Sequence, residues 1–425
     1  MRILYPLLKI CLVREVFLNV DKVIHNLKWL NKSKKIKFLS IVIGLSMFFM
    51  GSRYAACEGQ VMTNNISGTD DFAYYVPAND ALPSVTAKSA IVIEALTGRV
   101  LYSRNADALC YPASTTKIMT LIMALEKGNL DDVTKVSVNA ADTEGSTVWL
   151  EYDERVRIRD LLYGMMLVSG NDAAAAIAEH YMGSSANYAE KMTNRAHELG
   201  AVHTNFRNVS GLPDPQHYTT ARDLAMLTAY GYSIPGFEDI VSSKNHMMLR
   251  EREPYNRDVE NENILLWIYN GANGVKTGYT DDAGRCLVSA AKRNGIQLIA
   301  VVFDSLYMWN DSIAMLNYGF QNIEPVTVVK KGSKAAAVPV RGGSKKMVDL
   351  VAEDSVVLPK CKTDRDKYDV KYDVPDSLNA GIHRGDVVGN EIILYNGKQV
   401  ASVSLIASES IERKSLFRLI YSLFT

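Results

Sequence analysis

The pattern of apolar and polar positions divides this chain into strands, helices and strands again. Ala90-Ile91-Val92-Ile93 and Val100-Leu101-Tyr102 flank the turn segment Ala95-Leu96-Thr97-Gly98-Arg99 and predict a hairpin. Pro112-Ala113-Ser114 then opens a helix. Ile118, Met119, Leu121, Ile122 and Leu125 mark its apolar face, and Gly128 ends it. Residues 159–182 read as a second helical stretch broken by the turn Ser169-Gly170-Asn171. The segment 203–219, with Gly211, Pro213 and Pro215, is a loop, and Thr220 with Asp223 predicts a capped helix after it. Cys286 to Ala291 and Leu298 to Phe303 form two apolar runs joined through Asn294-Gly295, a strong hairpin signal. The first and last strands are expected to share one antiparallel sheet with helices packed on it, an α+β arrangement. Beyond Pro325 short alternating runs, such as Val326 to Val329 and Glu391 to Tyr395, predict a small all-β domain.

The ends of the chain read differently. The basic residues Lys32, Lys34, Lys35 and Lys37 precede the apolar run Phe38 to Gly51 and the small residues Ala55 and Ala56. This is the layout of an export signal, and the apolar run is too short for a comfortable membrane span. Residues 1–57 are therefore expected to be a leader, 58–87 a polar linker, 88–325 a catalytic domain, 326–407 the β-rich domain and 408–425 a tail. In that tail cations alternate with Leu416, Phe417, Leu419, Ile420, Leu423 and Phe424, as in an amphipathic helix lying on a membrane surface. Lys and Arg total 47 against 47 Asp and Glu, so no basic excess points to nucleic acid. Of 5 cysteines, Cys110, Cys286 and Cys361 follow the leader, an odd number without the close spacing of a zinc site or a disulfide framework. No metal or organic cofactor is expected.

Three short motifs carry the chemistry. In Ser114-Thr115-Thr116-Lys117 the serine and lysine share one helix face, three residues apart. Ser114 at a helix start lies in the positive end of the dipole, and Lys117 can accept its proton if burial and a second cation such as Lys276 lower the amine's pKa. Ser169-Gly170-Asn171 presents a hydroxyl and an amide two residues apart. The hydroxyl could relay a proton to a leaving group while the amide holds a substrate backbone. Lys276-Thr277-Gly278, placed at a strand start, offers a cation and a hydroxyl for a carboxylate, with Gly278 admitting a close backbone. Each motif alone is explained as well by a helix cap, a turn or a surface lysine. Their order, each in a fitting context, is what makes them informative.

The flanking residues carry a resemblance. Tyr111-Pro112-Ala113-Ser114-Thr115-Thr116-Lys117-Ile118-Met119-Thr120, Leu161 to Gly164, Ser169 to Ala173, Ser210 to Pro213, His217 to Asp223 and Gly274 to Thr280 are similar to the serine D-alanyl-D-alanine carboxypeptidases, the low-molecular-mass penicillin-binding proteins. The resemblance implies a serine β-lactamase/transpeptidase-like domain followed by the family's C-terminal β domain. It implies Ser114 as acylated nucleophile, Lys117 as its base, Ser169 and Asn171 beside the scissile peptide, Lys276 and Thr277 at the terminal carboxylate, and Gly278 within the same substrate-binding motif. Backbone N–H groups of Ser114 and Tyr279 would form the oxyanion hole. The implied substrate is a peptidoglycan stem peptide ending in D-Ala-D-Ala, with β-lactams as covalent inhibitors. A serine β-lactamase and an idle penicillin-binding wall protein are the alternatives. The 203–219 loop holds no Glu of the kind that activates hydrolytic water in class A β-lactamases.

Overall fold

The computed structural model describes residues 82–249, 256–362 and 368–414. The expected leader and the apolar residues of the tail lie outside the described residues. The chain begins with β1 (Ser89–Glu94) and β2 (Val100–Arg104), then runs through a helical half. That half comprises α1 (Lys117–Lys127), β3 (Val133–Lys135), α2 (Val138–Ala141), β4 (Arg155–Arg157), α3 (Ile158–Leu167), α4 (Asn171–Met182), α5 (Ser185–Glu198), α6 (Ala221–Gly231) and α7 (Phe237–Val241). After β5 (Asn245–Met248), β6 (Arg257–Glu260) and the single turn α8 (Leu265–Ile268), the chain returns through β7 (Ala272–Thr280), β8 (Gly284–Arg293) and β9 (Ile296–Phe303). Strands β1, β2 and β7 to β9 form one antiparallel sheet in the order β2-β1-β9-β8-β7, so the first and last strands do meet.

The period of two along these strands decides what each face touches. Ile91, Ile93, Val288, Ala290, Ile299 and Val301 join the core of the helical half. Val92, Leu287, Leu298, Ala300 and Val302 face the opposite way, against Met315 and Leu316 of α9 (Met308–Asn322). Because both faces are covered, all of β9 is buried, and apart from Gln297 its sequence is apolar throughout. Asn294 and Gly295 at the β8–β9 turn both have positive φ, 50° and 81°, as a tight hairpin with the sheet's twist requires.

Several elements were not legible in the pattern. Helix α5 buries only Tyr188, Ala189, Met192 and Ala196, too narrow a stripe to stand out from its polar remainder. Helix α9 places Asp311 and Ser312 among its buried positions, which interrupts the apolar period. The predicted cap of α6 is real but one-sided. Asp223 N donates to Thr220 Oγ1 (3.0 Å), while the Asp223 carboxylate is turned to His203 N and Thr204 Oγ1 (2.8 Å each).

Helix α9 runs directly into β10 (Ile323–Val329) and the all-β part. This contains β11 (Lys334–Arg341), β12 (Met347–Ala352), β13 (Val356–Cys361), β14 (Asp369–Asp373), β15 (Leu378–Asn379), β16 (Val387–Tyr395) and β17 (Lys398–Ala407). Six of these strands form a sheet ordered β14-β16-β17-β12-β11-β15, and β10 pairs with β13. Val338, Val348, Leu350, Ile393 and Leu405 fill its core. Ile411, near the start of the expected tail, is fully buried there and bridges to Ile382. Arg99 Nη1 donates to Tyr395 Oη (2.8 Å), tying the first hairpin to β16.

The entry of the chain into β1 is held by one buried carboxylate. Asp311 Oδ2 accepts from Thr86 N, Thr86 Oγ1, Ala87 N and Ser305 Oγ within 3.0 Å. Its position in the first turn of α9 also sets its charge at the positive end of the helix dipole, which is favourable. Asp311→Ala strips an anion from four donors, two of them backbone N–H groups that gain no other partner. We expect a loss of about 3 kcal/mol, read as a lowered midpoint in urea unfolding of the soluble chain.

Candidate active site

The nucleophile segment is a 3-10 turn, Ala113–Thr116, leading into α1. Ala113 has φ of 47°, a left-handed conformation costly for a residue with a Cβ. The neighbours hold it there. Thr115 Oγ1 donates to Pro112 O (2.6 Å), and Thr116 Oγ1 meets His217 Nε2 at 2.8 Å. His217 Nδ1 accepts from Arg207 N (3.0 Å), which leaves the proton on Nε2 and directs it to Thr116. Burial lowers the His217 pKa to about 4, so the ring is neutral. Two glycines allow this turn to be enclosed. A Cβ on Gly211, whose φ is +91°, would fall 1.8 Å from Ala113 O. A Cβ on Gly278 would fall 3.0 Å from Ser114 N and 3.2 Å from Pro112 O. The space expected to admit a substrate backbone at Gly278 is thus used by the backbone of the nucleophile turn.

Lys117 begins α1, which is buried through Ile118, Met119, Leu121 and Ile122. The i, i+3 spacing brings Lys117 Nζ to 3.0 Å from Ser114 Oγ. The same nitrogen lies 2.7 Å from Asn171 Oδ1 and 2.8 Å from Ser210 O. Its side chain is 0% exposed. Burial pushes its pKa well below the usual lysine value, and the charge on Lys276 pushes the same way; Glu262 and Asp172 oppose them. A neutral amine has two N–H donors and one lone pair. The Asn171 and Ser210 oxygens can only accept, so they take the two donors. The lone pair is left facing Ser114, whose O–H can donate to it.

Asn171 opens α4 on the far side of the Ser169-Gly170 turn. Its Nδ2 donates to Glu144 O (2.6 Å) and its backbone N to Ser146 O (2.7 Å). The amide expected to hold a substrate backbone is therefore largely committed to Lys117 and to the 144–150 loop. Asp172, fully buried, fixes that loop further by accepting from Val148 N and Leu150 N (3.0 Å each). Ser169 sits at φ of 65° with a buried Oγ that has no protein partner. Such a hydroxyl, strained into place and unsatisfied, is unusual outside functional sites.

Lys276, Thr277 and Gly278 lie within β7, not at its start. The strand extends back to Ala272 because Asn273 buries its amide against Gln297 and Glu238, polar pairing that the apolar pattern hides. β7 is the last strand of the sheet, paired only with β8, and its other edge packs along the nucleophile turn. Lys276 is 1% exposed. Burial lowers its pKa to about 8, with Glu262 acting against the shift. Lys276 Nζ reaches Thr277 Oγ1 at 3.3 Å. Tyr279 turns its ring outward, 61% exposed, and donates from Oη to Asp281 Oδ1 (2.9 Å). The structure thus brings Ser114, Lys117 and Asn171 into direct contact, with Lys276 close enough to bias Lys117.

Two contributors were given no role by the sequence reading, although Ser210 lies in one of the resembling segments. Ser210 acts through its backbone carbonyl, for which no residue-type signal exists. Glu262 lies in Asn261-Glu262-Asn263, which reads as an ordinary turn, yet its Oε2 accepts from Thr277 Oγ1 at 3.1 Å. Cys286 lies beneath the nucleophile segment. Its Sγ lies 3.8 Å from Tyr111 O, and burial raises its pKa to about 12, so it is inert. Among the described residues no group of His, Cys, Asp and Glu is arranged to hold a metal.

Comparison with known proteins agrees with this arrangement. Residues 77–306 match the family described as D-alanyl-D-alanine carboxypeptidase, and residues 324–413 match the C-terminal domain of penicillin-binding protein 5. The chain is 33% identical over 339 residues to D-alanyl-D-alanine carboxypeptidase DacF of Bacillus subtilis, covering 77% of this chain and 86% of that protein. It is 30% identical over 405 residues to DacA of Haemophilus influenzae, covering 91% of this chain and 96% of the other. The crystal structure of penicillin binding protein 5 from Haemophilus influenzae aligns with a TM-score of 0.57 at 29% identity, over 78% of this chain and 99% of that one. A penicillin-binding protein 3 structure from Streptococcus pneumoniae, at 23% identity and a TM-score of 0.65 over 77% of this chain and 100% of that one, shares the fold. Site, sheet and C-terminal domain together place the chain in the D-alanyl-D-alanine carboxypeptidase family of serine peptidases.

Proposed function

We propose that this enzyme removes the terminal D-alanine from peptidoglycan stem peptides through an acyl-enzyme on Ser114. The observation that carries the reading is the buried Lys117 amine, 3.0 Å from Ser114 Oγ, 2.7 Å from Asn171 Oδ1 and 2.8 Å from Ser210 O; in its neutral form the two acceptor-only oxygens take its N–H donors and the lone pair is left for the Ser114 hydroxyl. Ser114 Oγ attacks the carbonyl carbon of the penultimate D-alanine while its proton passes to Lys117. Backbone N–H groups of Ser114 and Tyr279 take the oxyanion. The C–N bond then breaks, the amine of the departing D-alanine takes up the proton, and the unpartnered Ser169 hydroxyl is the relay for it. Water adds to the acyl carbon with Lys117 again accepting a proton, and Ser114 is restored. The peptide lies beside the unpaired edge of β7, with its terminal carboxylate between Lys276 and Thr277. β-Lactams, which carry a reactive amide and a carboxylate, are expected to acylate the same serine.

The domains follow the same reading, with catalysis in 88–325 and the β-rich part in 326–407. A stem-peptide substrate lies outside the cytoplasmic membrane, which suits the leader over residues 1–57. The apolar residues beyond Lys414 are the proposed anchor to the membrane surface.

Three results would test this. A penicillin should add its whole mass to the chain at Ser114, and Ser114→Ala should lose both the adduct and at least about a thousandfold in D-alanine release; an adduct that persists in Ser114→Ala would remove Ser114 as the nucleophile. The second concerns pH. Acylation needs neutral Lys117, so its rate falls on the acid side as Lys117 protonates. Below about pH 8 Lys276 carries the charge that helps keep Lys117 neutral. Lys276→Met removes that charge, raises the Lys117 pKa and moves the acid limb of the acylation profile to higher pH; an unmoved limb counts against the coupling. Third, deleting residues 415–425 should release the protein from membranes with activity intact, because the cut falls beyond the buried Ile411. Retention on membranes would exclude the anchor.

A further inference from the structure

Glu262 is placed at the proposed carboxylate clamp by a backbone fixed on both sides. Its own N donates to Leu167 O (3.0 Å). Beside it, buried Asn261 donates from Nδ2 to Ser243 O (2.9 Å) and accepts at Oδ1 from Asn263 N (2.9 Å). Buried Asn263 in turn accepts from Leu265 N (3.2 Å). Two neutral side chains are turned inward to hold the turn, and the charged one between them is left exposed in the cleft. There Thr277 Oγ1 donates to Glu262 Oε2 at 3.1 Å and itself accepts from Lys276 Nζ at 3.3 Å.

A hydroxyl has one proton to donate. Here it is spent on a carboxylate belonging to the protein, at the group proposed to receive the carboxylate of the substrate. The incoming anion must take that proton from Glu262 and lie beside its charge, which in a partly solvated cleft opposes binding. We propose that Glu262 is a specificity-determining residue that competes with the terminal carboxylate of the substrate for Thr277 Oγ1 and weakens the preference for a free carboxylate over a neutral C-terminus. The inference rests on the assignment of Lys276 and Thr277 as the carboxylate clamp. A C-terminal amide has no charge to be repelled, and its N–H can donate to Glu262. The cleft is therefore more tolerant of leaving residues whose carboxyl is amidated or otherwise neutralised than a bare lysine-threonine clamp would be.

The test uses the full chain and two probes, an acyl-D-Ala-D-Ala peptide with a free carboxylate and the same peptide as its C-terminal amide. The readout is the ratio of their kcat/KM values at one pH. Glu262→Gln should raise the acid-to-amide ratio about tenfold, mainly through a lower KM for the acid. Glu262→Ala should move it in the same direction, which separates loss of charge from any new contact of the glutamine. Thr277→Val should lower the ratio, since it deletes the shared hydroxyl. A ratio unchanged or lowered in both Glu262 variants, while Thr277→Val still lowers it, would overturn the role of Glu262 and leave the clamp standing. A ratio unaffected by Thr277→Val would overturn the clamp assignment itself, and with it the inference about Glu262.

Discussion

The active site depends on one buried amine. Lys117 Nζ is out of water and contacts three partners from three parts of the chain: Ser114 on its own helix start, Asn171 at the start of α4 and Ser210 in the loop before α6. A lysine in that position is costly as a cation, so burial lowers its pKa well below the usual lysine value. The apolar residues of α1 and the alanine-rich α4 supply the burial, and the three oxygens supply the orientation. If one of those elements moved, the amine would regain water, its charge and an ordinary pKa. Helix packing and chemistry are in this sense one constraint.

A second constraint is backbone proximity. The nucleophile turn is wedged between Gly211 and Gly278; Ala113 O occupies the place of a Cβ at Gly211, and a Cβ at Gly278 would be crowded 3.0 Å from Ser114 N. The turn itself tolerates a left-handed Ala113 because hydrogen bonds at Thr115 and Thr116 hold the residues that follow. His217 belongs to this support and not to the proton transfer, since its two ring nitrogens are occupied by Thr116 and by Arg207 N.

Charge in the cleft is balanced at two removes from the serine. Lys276 is itself buried and its pKa is lowered, yet it remains cationic enough at neutral pH to disfavour protonation of Lys117. Glu262 works against both shifts from the cleft wall. The two buried lysines and the glutamate are therefore electrostatically coupled, with Lys276 lowering the Lys117 pKa and Glu262 acting to raise both. Such an arrangement lowers folding stability and supports reactivity, the usual exchange at active sites.

The sequence by itself determined the strands-helices-strands order, the hairpin at Asn294-Gly295, the β-rich C-terminal part and the three motifs. These are signals of local period, turn chemistry and residue type, which neighbours along the chain are enough to express. It did not show α5 or α9, whose buried stripes are narrow or polar, nor the true extent of β7, whose first residues include the bulge at Asn273 with its buried polar side chain. Nor did it show the roles of Ser210 and Glu262, the first because a carbonyl is common to every residue, the second because an acid in a turn has no distinguishing spacing. Only the tertiary structure decided that Gly278 makes room for the nucleophile turn, that Asn171 is turned to Lys117, and that Thr277 already has a carboxylate beside it. These are contacts between residues far apart in the chain. Their distances are set by how α1, α4, β7 and the loop before α6 pack together, and no motif encodes that packing.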